Sequence, residues 1–404
     1  MKKRIAVVGG GASGLTAAIA AARKGAAVTV YERQARVGRK ILATGNGRCN
    51  FTNINAAEKN YHGEKPDFVR GAIARFWVRE TLDFFRELGV LARVEAEGKV
   101  YPYSGQAAAI LDVLRMEAQR LDVQFVCGFE TAAMRHVGGK YRLESYQKEQ
   151  AEADTVILAC GGRAAPDLGS NGSGYRLLEQ VGHRIVPTIP ALVQVKTAAE
   201  YGKGLKGMKF DAGVRLMYQG KELGQAAGEV LFTEYGLSGP PVFQLSRLVS
   251  VHKHCQIRLD LMPEYTKEQV IRLLTAQQSP AKNLEDYLVG ILPKRMGQVL
   301  LKSCGIAPLS RISASLGGAE IERIAAAVKG WTFETEGTLS WNNAQVTAGG
   351  ADVREVDPVT FASRKVKNVY IVGELLDIDG DCGGYNLQWA WSSGMIAGMA
   401  AAEG

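Results

Sequence analysis

Three glycines near the start of the chain have the spacing of a dinucleotide-binding turn. Gly9, Gly11 and Gly14 form the pattern G-x-G-x-x-G. At this spacing the first glycine permits a sharp turn, the second lets a pyrophosphate approach the backbone, and the third lets a helix pack closely on a strand. The helix that follows would offer free N–H groups and the positive end of its dipole to phosphate.

The residues around these glycines predict the strand, helix and strand that such a turn needs. Residues 5–8 are apolar and favour a buried strand, the alanine-rich stretch 15–24 favours a helix, and residues 28–31 return to the sheet. Glu32 ends the second strand, where a carboxylate can accept hydrogen bonds from both ribose hydroxyls. Because a carboxylate there disfavours a 2′-phosphate, we predict the adenosine half of FAD or NAD, not of NADP.

The first 22 residues also resemble a signal peptide, since Lys2, Lys3 and Arg4 precede an apolar run that ends in three alanines. Four glycines interrupt that run, however, and the strand and the acidic residue that follow complete a βαβ unit. We therefore favour the dinucleotide-binding interpretation of this segment.

The composition is that of a globular protein and argues against several classes. Of the 404 residues 46% are hydrophobic, yet no run reaches the roughly 18 apolar residues of a membrane span. The five histidines show no metal-ligand spacing, so we expect neither metal nor membrane binding. The six cysteines are scattered without a C-x-x-C pair, which predicts reduced thiols in a cytoplasmic protein. The net charge of +8 permits RNA as a partner but does not require it.

A loop rich in glycine, asparagine and basic side chains follows Glu32. Residues 33–53 combine positive charge with residue types that adopt left-handed backbone conformations. We predict that this loop wraps around the pyrophosphate and reaches the redox-active ring. Its members that we expect to bind the cofactor are Arg33, Arg39, Lys40, Asn46, Gly47 and Asn50.

A second strand–turn–helix unit lies near the C-terminal end. Residues 369–373 predict a buried strand, the paired glycines after it a turn, and the residues up to 398 a helix. The helix N-terminus can face a flavin ring or its ribityl chain, and Asp377 or Asp379 can bond ribityl hydroxyls. The members of this unit that we expect to bind the cofactor are Gly373, Glu374, Asp379, Gly384, Tyr385, Asn386 and Gln388.

Another predicted buried strand, residues 155–159, runs into the small residues Cys160, Gly161 and Gly162. Small residues at the end of a buried strand suit a close approach between backbone and ligand. The remaining cofactor contacts that we expect lie in the first strand–turn–helix unit and in later strands of the same domain, and they are Gly9, Gly11, Ala12, Ser13, Gly14, Glu32, Thr131 and Gly161.

The domain organisation follows from a change of composition near Pro187 and Pro190. Short alternating segments with glycine and charged turns follow these prolines and suggest an inserted β-rich domain. We predict a dinucleotide-binding domain of residues 1–188 and 345–404, a β-rich domain of residues 189–264 and 312–344, and a helical subdomain of residues 265–311.

Together these segments resemble the BaiN/RdsA-like bacterial NAD(P)/FAD-dependent oxidoreductases, the YhiN-type flavoproteins, over nearly the whole chain. The motifs that carry the resemblance are GGGASGL at 9–15, GRKILATGNGRCNFTN at 38–53, GKVYP at 98–102, GSNGSGY at 169–175, LFTEYGLSGP at 231–240, VTAGG at 346–350 and GELLDIDGDCGGYNLQWA at 373–390. The resemblance implies an α/β fold: a glutathione-reductase-like FAD-binding Rossmann domain with an inserted β-barrel-like domain that carries a small helical subdomain. It implies FAD as cofactor, with NADPH or NADH as a transient electron donor.

The chain lacks two features of the flavin-dependent disulfide reductases. No second G-x-G-x-x-G joins an apolar strand to a helix, which argues against a dedicated nicotinamide-binding domain, and no C-x-x-x-x-C redox pair follows the first helix. We therefore expect that the nicotinamide nucleotide visits the flavin transiently or that another donor reduces the flavin.

The resemblance also implies a reaction. Family members reduce a uridine of large-subunit ribosomal RNA to dihydrouridine, or reduce 3-oxo-4-ene bile-acid intermediates. In both reactions hydride reaches the β-carbon of a double bond conjugated with a carbonyl, and an acid protonates the α-carbon. For this chain the leading expectation is the uridine reaction, with ribosomal RNA as partner.

The predicted catalytic residues lie in the loops expected to reach the flavin. Cys49 is the first candidate for the acid, because its thiol lies in the T-G-N-G-R-C-N loop, and Cys382 is the second. Arg48 is expected to polarise the substrate carbonyl or to pair with phosphate. Tyr235, in the inserted domain, is a further candidate for the proton donor.

Two other functions stay open on the sequence. One is an FAD-dependent reductase of a small enone, and the other is a non-catalytic, FAD-bound module that binds RNA or protein. The basic balance and the large insertion fit an anionic substrate, but the sequence shows no aromatic–basic motif of an RNA-binding fold.

Overall fold

The chain folds as two compact units. The computed structural model describes residues 2–198 and 202–404. Contacts within the chain separate Met1–Pro190 together with Ala344–Gly404 from Ala191–Asn343. Each unit has its own buried hydrophobic core. Within the described ranges, no helix is long and apolar enough to cross a membrane, and no group of three or more His, Cys, Asp or Glu side chains could hold a metal ion.

The described residues of the two units form the following strands and α-helices. The described strands are β1 (Arg4–Val8), β2 (Ala27–Glu32), β3 (Thr52–Asn53), β4 (Tyr61–His62), β5 (Ala92–Val94), β6 (Lys99–Pro102), β7 (Gln124–Cys127), β8 (Thr131–Val137), β9 (Lys140–Ser145), β10 (Gln150–Ala153), β11 (Thr155–Leu158), β12 (Ile185–Ala191), β13 (Val195–Thr197), β14 (Lys209–Tyr218), β15 (Lys221–Phe232), β16 (Gly236–Ser238), β17 (Gln256–Asp260), β18 (Trp331–Thr338), β19 (Val346–Ala351), β20 (Val369–Ile371) and β21 (Asp379–Gly380). The described α-helices are α1 (Ala12–Arg23), α2 (Arg39–Ala43), α3 (Arg70–Ile73), α4 (Val78–Glu87), α5 (Ala107–Arg120), α6 (Ser173–Gln180), α7 (Gly202–Leu205), α8 (Pro240–Val251), α9 (Lys267–Ala276), α10 (Leu284–Tyr287), α11 (Lys294–Ser303), α12 (Gly318–Gly330) and α13 (Tyr385–Glu403).

The first unit is built on a parallel sheet with the strand order β20-β11-β1-β2-β7. β1 lies in the middle, with Ile5 opposite Thr155 on one side and Val28 on the other. Residues 5–8 are buried, as expected of an inner strand covered on both faces. The predicted strand, turn, helix and strand are present as β1, α1 and β2, and the carboxyl end of β1 leads directly into the glycine turn.

The two helices that begin at glycine-rich turns pack directly on each other. A Cβ at Gly394 would lie 2.3 Å from the carbonyl oxygen of Ser13, and one at Gly398 would lie 2.3 Å from that of Ala17. Only glycine permits this approach, and the pairing shows that α1 and α13 run in the same direction. α13 begins nine residues before Gly394, so its first turn lies about 13 Å beyond the level of Ser13.

The second unit contains a closed barrel with the strand order β13-β16-β15-β14-β17-β18. Together with the parallel sheet of the first unit, this barrel confirms the predicted α/β fold class. The helices α9 to α12 lie in the sequence between β17 and β18.

Two segments are helical within the residues predicted to form a β-rich domain. Residues 240–251 form α8, because prolines fit the first helical positions, where no backbone N–H is needed. Residues 318–330, assigned to the β-rich domain, form α12, since Ile321, Ile324 and Val328 recur at helical spacing and are buried. The predicted separation of a helical subdomain at residue 311 stays a prediction.

A cluster of charged side chains fixes β12 to the segment that follows β19. Asp352 Oδ2 accepts hydrogen bonds from Arg354 (2.6 Å) and Arg184 (2.7 Å), and Glu64 Oε2 accepts one from Arg184 (3.0 Å). The Asp352 side chain is only 6% exposed. The hydrogen bonds from Arg354, and then those from Arg184, hold the pKa of Asp352 well below its usual range.

Replacing Asp352 by asparagine is expected to lower the free energy of unfolding by about 1–3 kcal/mol, because two guanidinium groups lose a buried acceptor. A depressed carboxyl pKa stabilises the fold above the unfolded-state pKa and ceases to do so as the pH falls. The difference between wild type and D352N should therefore shrink below about pH 4 in denaturant titrations. Glu64→Gln, at the exposed side of the cluster, is the control, and it should lower the free energy of unfolding by less than about 1 kcal/mol. Equal losses for both variants would contradict the prediction.

Candidate functional site

The turn between β1 and α1 has the open form that a pyrophosphate needs. Gly9 has a φ of +107°, and a Cβ there would lie 2.4 Å from the carbonyl oxygen of Ala159. A Cβ at Gly14 would lie 1.9 Å from the carbonyl oxygen of Gly9, whereas one at Gly11 would meet no atom within 4 Å. No side chain caps α1, and no acidic residue lies in its first turn, so the helix N-terminus can accept an anion. The predicted contacts that lie together here are Gly9, Gly11, Ala12, Ser13 and Gly14.

Glu32 joins this turn to the loop that follows β2. Its Oε2 accepts a hydrogen bond from the backbone N–H of Gly10 (2.7 Å), and its Oε1 accepts one from that of Gln34 (2.8 Å). A carboxylate offers about four acceptor positions. Glu32 can therefore hold the two backbone segments and still accept ribose hydroxyls.

Replacing Glu32 by alanine is expected to weaken FAD binding about tenfold to a hundredfold, because two backbone N–H groups lose a charged acceptor and the ribose loses its partner. Flavin fluorescence during titration of the apoprotein with FAD measures the effect. Glu32→Gln keeps one acceptor oxygen and should lie between the alanine variant and the wild type. FAD affinity of the wild-type strength in E32A would show that the carboxylate has no part in holding the nucleotide.

A pocket opens beside Glu32. Its lining includes Gly9, Glu32, Arg33, Thr131 and Cys160. Thr131 is 5% exposed, and its Oγ1 is buried without a hydrogen-bond partner in the described chain, which fits a ligand group that is still to be bound. The glycine cradle at one end and the unpaired hydroxyl in its wall match the adenosine and pyrophosphate of FAD.

The basic loop after β2 is held by polar contacts. Lys40 Nζ lies 2.7 Å from Glu374 Oε2, which joins two predicted cofactor contacts that are far apart in the sequence. Glu374 Oε1 accepts a hydrogen bond from the backbone N–H of Thr347 (2.9 Å). Arg39 donates to the side-chain oxygen of Gln34 (2.6 Å). The loop is thus fixed against the C-terminal segment.

Three predicted loop contacts differ in accessibility. Asn46 and Gly47 have φ angles of 54° and 81° and are exposed. Asn50 is buried, and its side-chain oxygen accepts a hydrogen bond from the backbone N–H of Val100 (3.1 Å). Asn50 therefore orders the loop from within, while Asn46 and Gly47 lie at its surface.

The C-terminal unit places glycines at close approaches. Gly373 has a φ of +69°, and a Cβ there would lie 2.5 Å from Ser13 Oγ. Gly384 is the N-cap of α13 with a φ of +99°, and a Cβ there would lie 2.5 Å from the carbonyl oxygen of Thr52. No side chain caps α13, and its first turn holds no acidic residue. Its N-terminus can therefore attract electronegative ligand atoms.

Gly161 is a predicted contact outside this unit. It has a φ of +70° and follows β11, the neighbour of β20 in the parallel sheet.

Two predicted contacts in this unit bind protein groups. The side chain of Asn386 accepts a hydrogen bond from the backbone N–H of Gly380 and donates one to its carbonyl oxygen, both at 2.8 Å. Gln388 has no exposed surface, and its amide bonds the hydroxyls of Thr52 (2.5 Å) and Thr81 (2.8 Å). These side chains hold the turn in shape, and a direct contact with the cofactor stays a prediction for each.

Asp379 and Tyr385 flank the same turn. Asp379 is 2% exposed and lies in β21, which pairs with His62 of β4. The carbonyl oxygen of Tyr385 accepts a hydrogen bond from the buried hydroxyl of Tyr61 (3.0 Å). The turn is therefore supported from both sides by buried groups, and the cofactor-binding roles of Asp379 and Tyr385 stay predictions.

Cys49 and Arg48 are both engaged with the protein. The Cys49 side chain is fully buried, burial raises the pKa of its thiol to about 12, and Thr44 hydrogen-bonds it. Arg48 forms an ion pair with Glu95, and its guanidinium lies 4.1 Å from the ring centre of Tyr101. The catalytic roles of Cys49 and Arg48 stay predictions, and in this conformation Cys49 has no surface for a substrate to touch.

Cys382 is more accessible, and its neighbours were not predicted. It is half-buried, burial raises the pKa of its thiol, and the ammonium of Lys99 acts in the opposite direction. Asn53 donates a hydrogen bond to the carbonyl oxygen of Gly383 (2.9 Å) and so ties the motif at residues 38–53 to the turn before α13. Lys99 and Asn53 lie inside recognisable motifs, but only the fold brings those motifs together. Tyr235 lies in the second unit between β15 and β16.

Comparison with known proteins identifies a matching family model and full-length relatives. The family model described as HI0933-like protein Rossmann domain matches residues 3–400. The chain is 41% identical to a 3-dehydro-bile acid delta(4,6)-reductase of Clostridium scindens, over 99% of each chain. It is 29% identical to a ribosomal RNA dihydrouridine synthase of Haemophilus influenzae, over 96% of this chain and 95% of that protein.

A solved structure supports the fold. The 3-ketosteroid-delta4-(5alpha)-dehydrogenase of Rhodococcus jostii RHA1 aligns with a TM-score of 0.50 at 15% identity, covering 99% of this chain and 97% of that one. At this identity the likeness concerns the fold alone. The family match, the full-length relatives and the nucleotide cradle lead to one conclusion. The chain belongs to the HI0933-like family and is an FAD-dependent oxidoreductase.

Proposed function

We propose that this protein reduces a carbon–carbon double bond conjugated with a carbonyl, and that its substrate is a uridine of large-subunit ribosomal RNA. The observation that carries the reaction class is that the two relatives described above are named for this chemistry, on a bile acid in one case and on RNA in the other. The net charge of +8 and the relative named for ribosomal RNA support the RNA substrate.

The chemistry that FAD supplies when bound is hydride transfer to the β-carbon of the substrate. The residues that would hold it are those of the glycine turn, Glu32, Thr131 and the first turn of α13. The protein must then deliver a proton to the α-carbon. Cys382 suits this role better than Cys49, because it is half-buried and lies next to the N-terminus of α13. A thiol with a raised pKa stays protonated near neutral pH and so keeps the proton to be donated.

NADPH or NADH is proposed as the source of electrons. No second glycine fingerprint joins an apolar strand to a helix in the sequence, so the nicotinamide nucleotide would approach the flavin only transiently. Comparing the rates of anaerobic flavin reduction by the two nucleotides identifies the donor.

A second candidate substrate is a small 3-oxo-4-ene compound of the steroid or bile-acid kind. The specific observation that favours it is the 41% identity to the bile acid reductase over 99% of both chains. The bond that reacts would have the same relation to a carbonyl as in uracil, so the same proton donor serves both substrates.

One anaerobic experiment separates the two. The flavin is reduced with NADPH or NADH, and unmodified large-subunit ribosomal RNA or a 3-oxo-4-ene bile acid is added. The proposal expects RNA to reoxidise the flavin and to gain a nucleoside heavier than uridine by two hydrogens at a defined site. Reoxidation by the bile acid alone would transfer the function to the second candidate. Reoxidation by neither would overturn the proposed reaction class, and RNA binding without any turnover would favour a non-catalytic module.

A further inference from the structure

A small antiparallel sheet of the first unit carries arginine and tyrosine side chains on one face. The sheet has the strand order β3-β6-β5. In β6, Val100 is fully buried, so Lys99 and Tyr101 lie on the opposite face, because side chains alternate along a strand. Arg93 of β5 pairs directly with Tyr101 and shares that face. We call this surface the arginine–tyrosine face, and its members are Arg48, Arg93, Lys99, Tyr101 and Tyr103.

Two arginines lie over two tyrosine rings on this face. The guanidinium carbon of Arg48 is 4.1 Å from the ring centre of Tyr101, and that of Arg93 is 4.3 Å from the ring centre of Tyr103. Guanidinium planes and aromatic rings are the groups on which unpaired bases stack. The side chain of Tyr103 is 61% exposed, so the second pair is open to solvent.

The charges on this face leave a positive balance. Arg48 pairs with Glu95 and Lys99 pairs with Glu97. Arg93 forms no ion pair with any carboxylate of the described chain. Three cations against two carboxylates, beside exposed rings, suit a polyanion that also presents aromatic faces.

An apolar side chain at the edge of the sheet adds to the surface. Leu91, two residues before Arg93, is 67% exposed. An exposed apolar residue next to stacked rings is typical of a binding surface. A single strand of nucleic acid uses both the stacked guanidinium planes and the exposed apolar surface. An apolar protein partner would not need the guanidinium planes.

The face adjoins the turn that leads into α13. A Cβ on Gly383 would lie 3.6 Å from Lys99 Cε, and Asn53 of β3 donates its hydrogen bond to the carbonyl oxygen of Gly383. Lys99 also influences the pKa of the Cys382 thiol. An RNA strand that presents one base near Cys382 would therefore have its neighbouring nucleotides next to this face.

We infer that the arginine–tyrosine face is a stacking surface for the single-stranded nucleotides that flank the target uridine. This inference rests on the proposed RNA substrate and adds the residues that recognise it. Stacking on an aromatic ring and a guanidinium plane tolerates any base, so the face would contribute affinity and placement more than sequence choice.

The test uses the double variant Arg93→Ala and Tyr103→Ala in the FAD-loaded protein. We expect affinity for unmodified large-subunit ribosomal RNA to fall about tenfold or more at fixed salt, because one stacking platform and one phosphate-attracting charge are lost. The yield of dihydrouridine at low RNA concentration should fall in parallel, and a high RNA concentration should restore it. The dependence of binding on salt concentration should also become shallower.

A matched control is the double variant Arg176→Ala and Tyr146→Ala. Arg176 lies 5.7 Å from the ring centre of Tyr146, which is 49% exposed, and this pair lies outside the β3-β6-β5 sheet. The control should bind RNA like the wild type. FAD content and the unfolding midpoint of all variants show whether a loss reflects misfolding.

The outcomes separate this inference from the proposed function. If the wild type reduces ribosomal RNA and the R93A/Y103A variant keeps its affinity and yield, the inference fails while the proposed function stands. The inference also fails if both double variants weaken RNA binding equally. If the wild type neither binds nor reduces RNA, the proposed RNA substrate fails first and the stacking role falls with it.

Discussion

Replacing Gly14 by alanine is expected to yield a protein that is purified almost free of FAD. A Cβ at this position would lie 1.9 Å from the carbonyl oxygen of Gly9 and 3.3 Å from the Cβ of Ala159. Backbone cannot move out of the way as a flexible side chain can, so α1 must shift from β1. We expect a loss of about 1–3 kcal/mol in the free energy of unfolding. The same shift distorts the phosphate-binding turn and should weaken FAD binding at least about tenfold.

The matched control is Gly318→Ala. Gly318 is the first residue of α12, and a Cβ there would meet no atom within 4 Å. This variant should keep its FAD and change the free energy of unfolding by less than about 0.5 kcal/mol. Flavin absorbance per protein and urea denaturation measure both quantities. A G14A protein with full flavin content would mean that the turn relaxes more easily than its contacts indicate.

The features of the site that the sequence predicts are those encoded within a few residues. The turn at Gly9, Gly11 and Gly14 needs small residues at fixed spacing, and Glu32 lies at the end of the strand that follows, so both are visible in about thirty residues. The parallel sheet follows from the same segment, because a strand, a helix and a second strand in this order form a parallel pair.

The sequence does not show contacts between motifs that are distant along the chain. The sequence predicts Gln388 as a cofactor contact in the motif at residues 373–390, and in the fold its amide bonds Thr52 across 336 positions. Arg48 and Tyr101 lie in separate motifs, and only the pairing of β3 with β6 brings those motifs together. The arginine–tyrosine face therefore has no counterpart in any short stretch of sequence.

Burial is the other property that the sequence leaves undetermined. Cys49 and Cys382 both lie in glycine-rich segments. On the sequence Cys49 is the first candidate for the acid, because its loop is predicted to reach the flavin. In the fold Cys49 has a left-handed backbone conformation and no exposed surface, whereas Cys382 is half-buried. Accessibility, which depends on the whole first unit, is the reason that the proposed function assigns the proton donor to Cys382 and not to Cys49.

Replacing Cys382 by alanine is expected to slow substrate-dependent reoxidation of the flavin by about 10²–10⁴-fold, the usual contribution of a general acid. Reduction of the flavin by NAD(P)H does not require this proton and should keep its rate. Stopped-flow absorbance measures the two half-reactions separately. Cys49→Ala is the matched control, since it removes a fully buried thiol from the neighbouring loop and should leave both half-reactions within a few-fold of the wild type.

The pH dependence gives a readout that a structural role would not affect. A proton donor acts only while protonated, so the rate of substrate reduction should fall as the pH rises through the pKa of the thiol. Burial raises the pKa of Cys382 above its ordinary value of 9.0, so this decline should begin above pH 9 in the wild type and be absent in C382A. A normal rate in C382A together with a slow C49A variant would return the role to Cys49. The buried loop would then have to open during turnover, because a fully enclosed thiol cannot reach the α-carbon of any substrate.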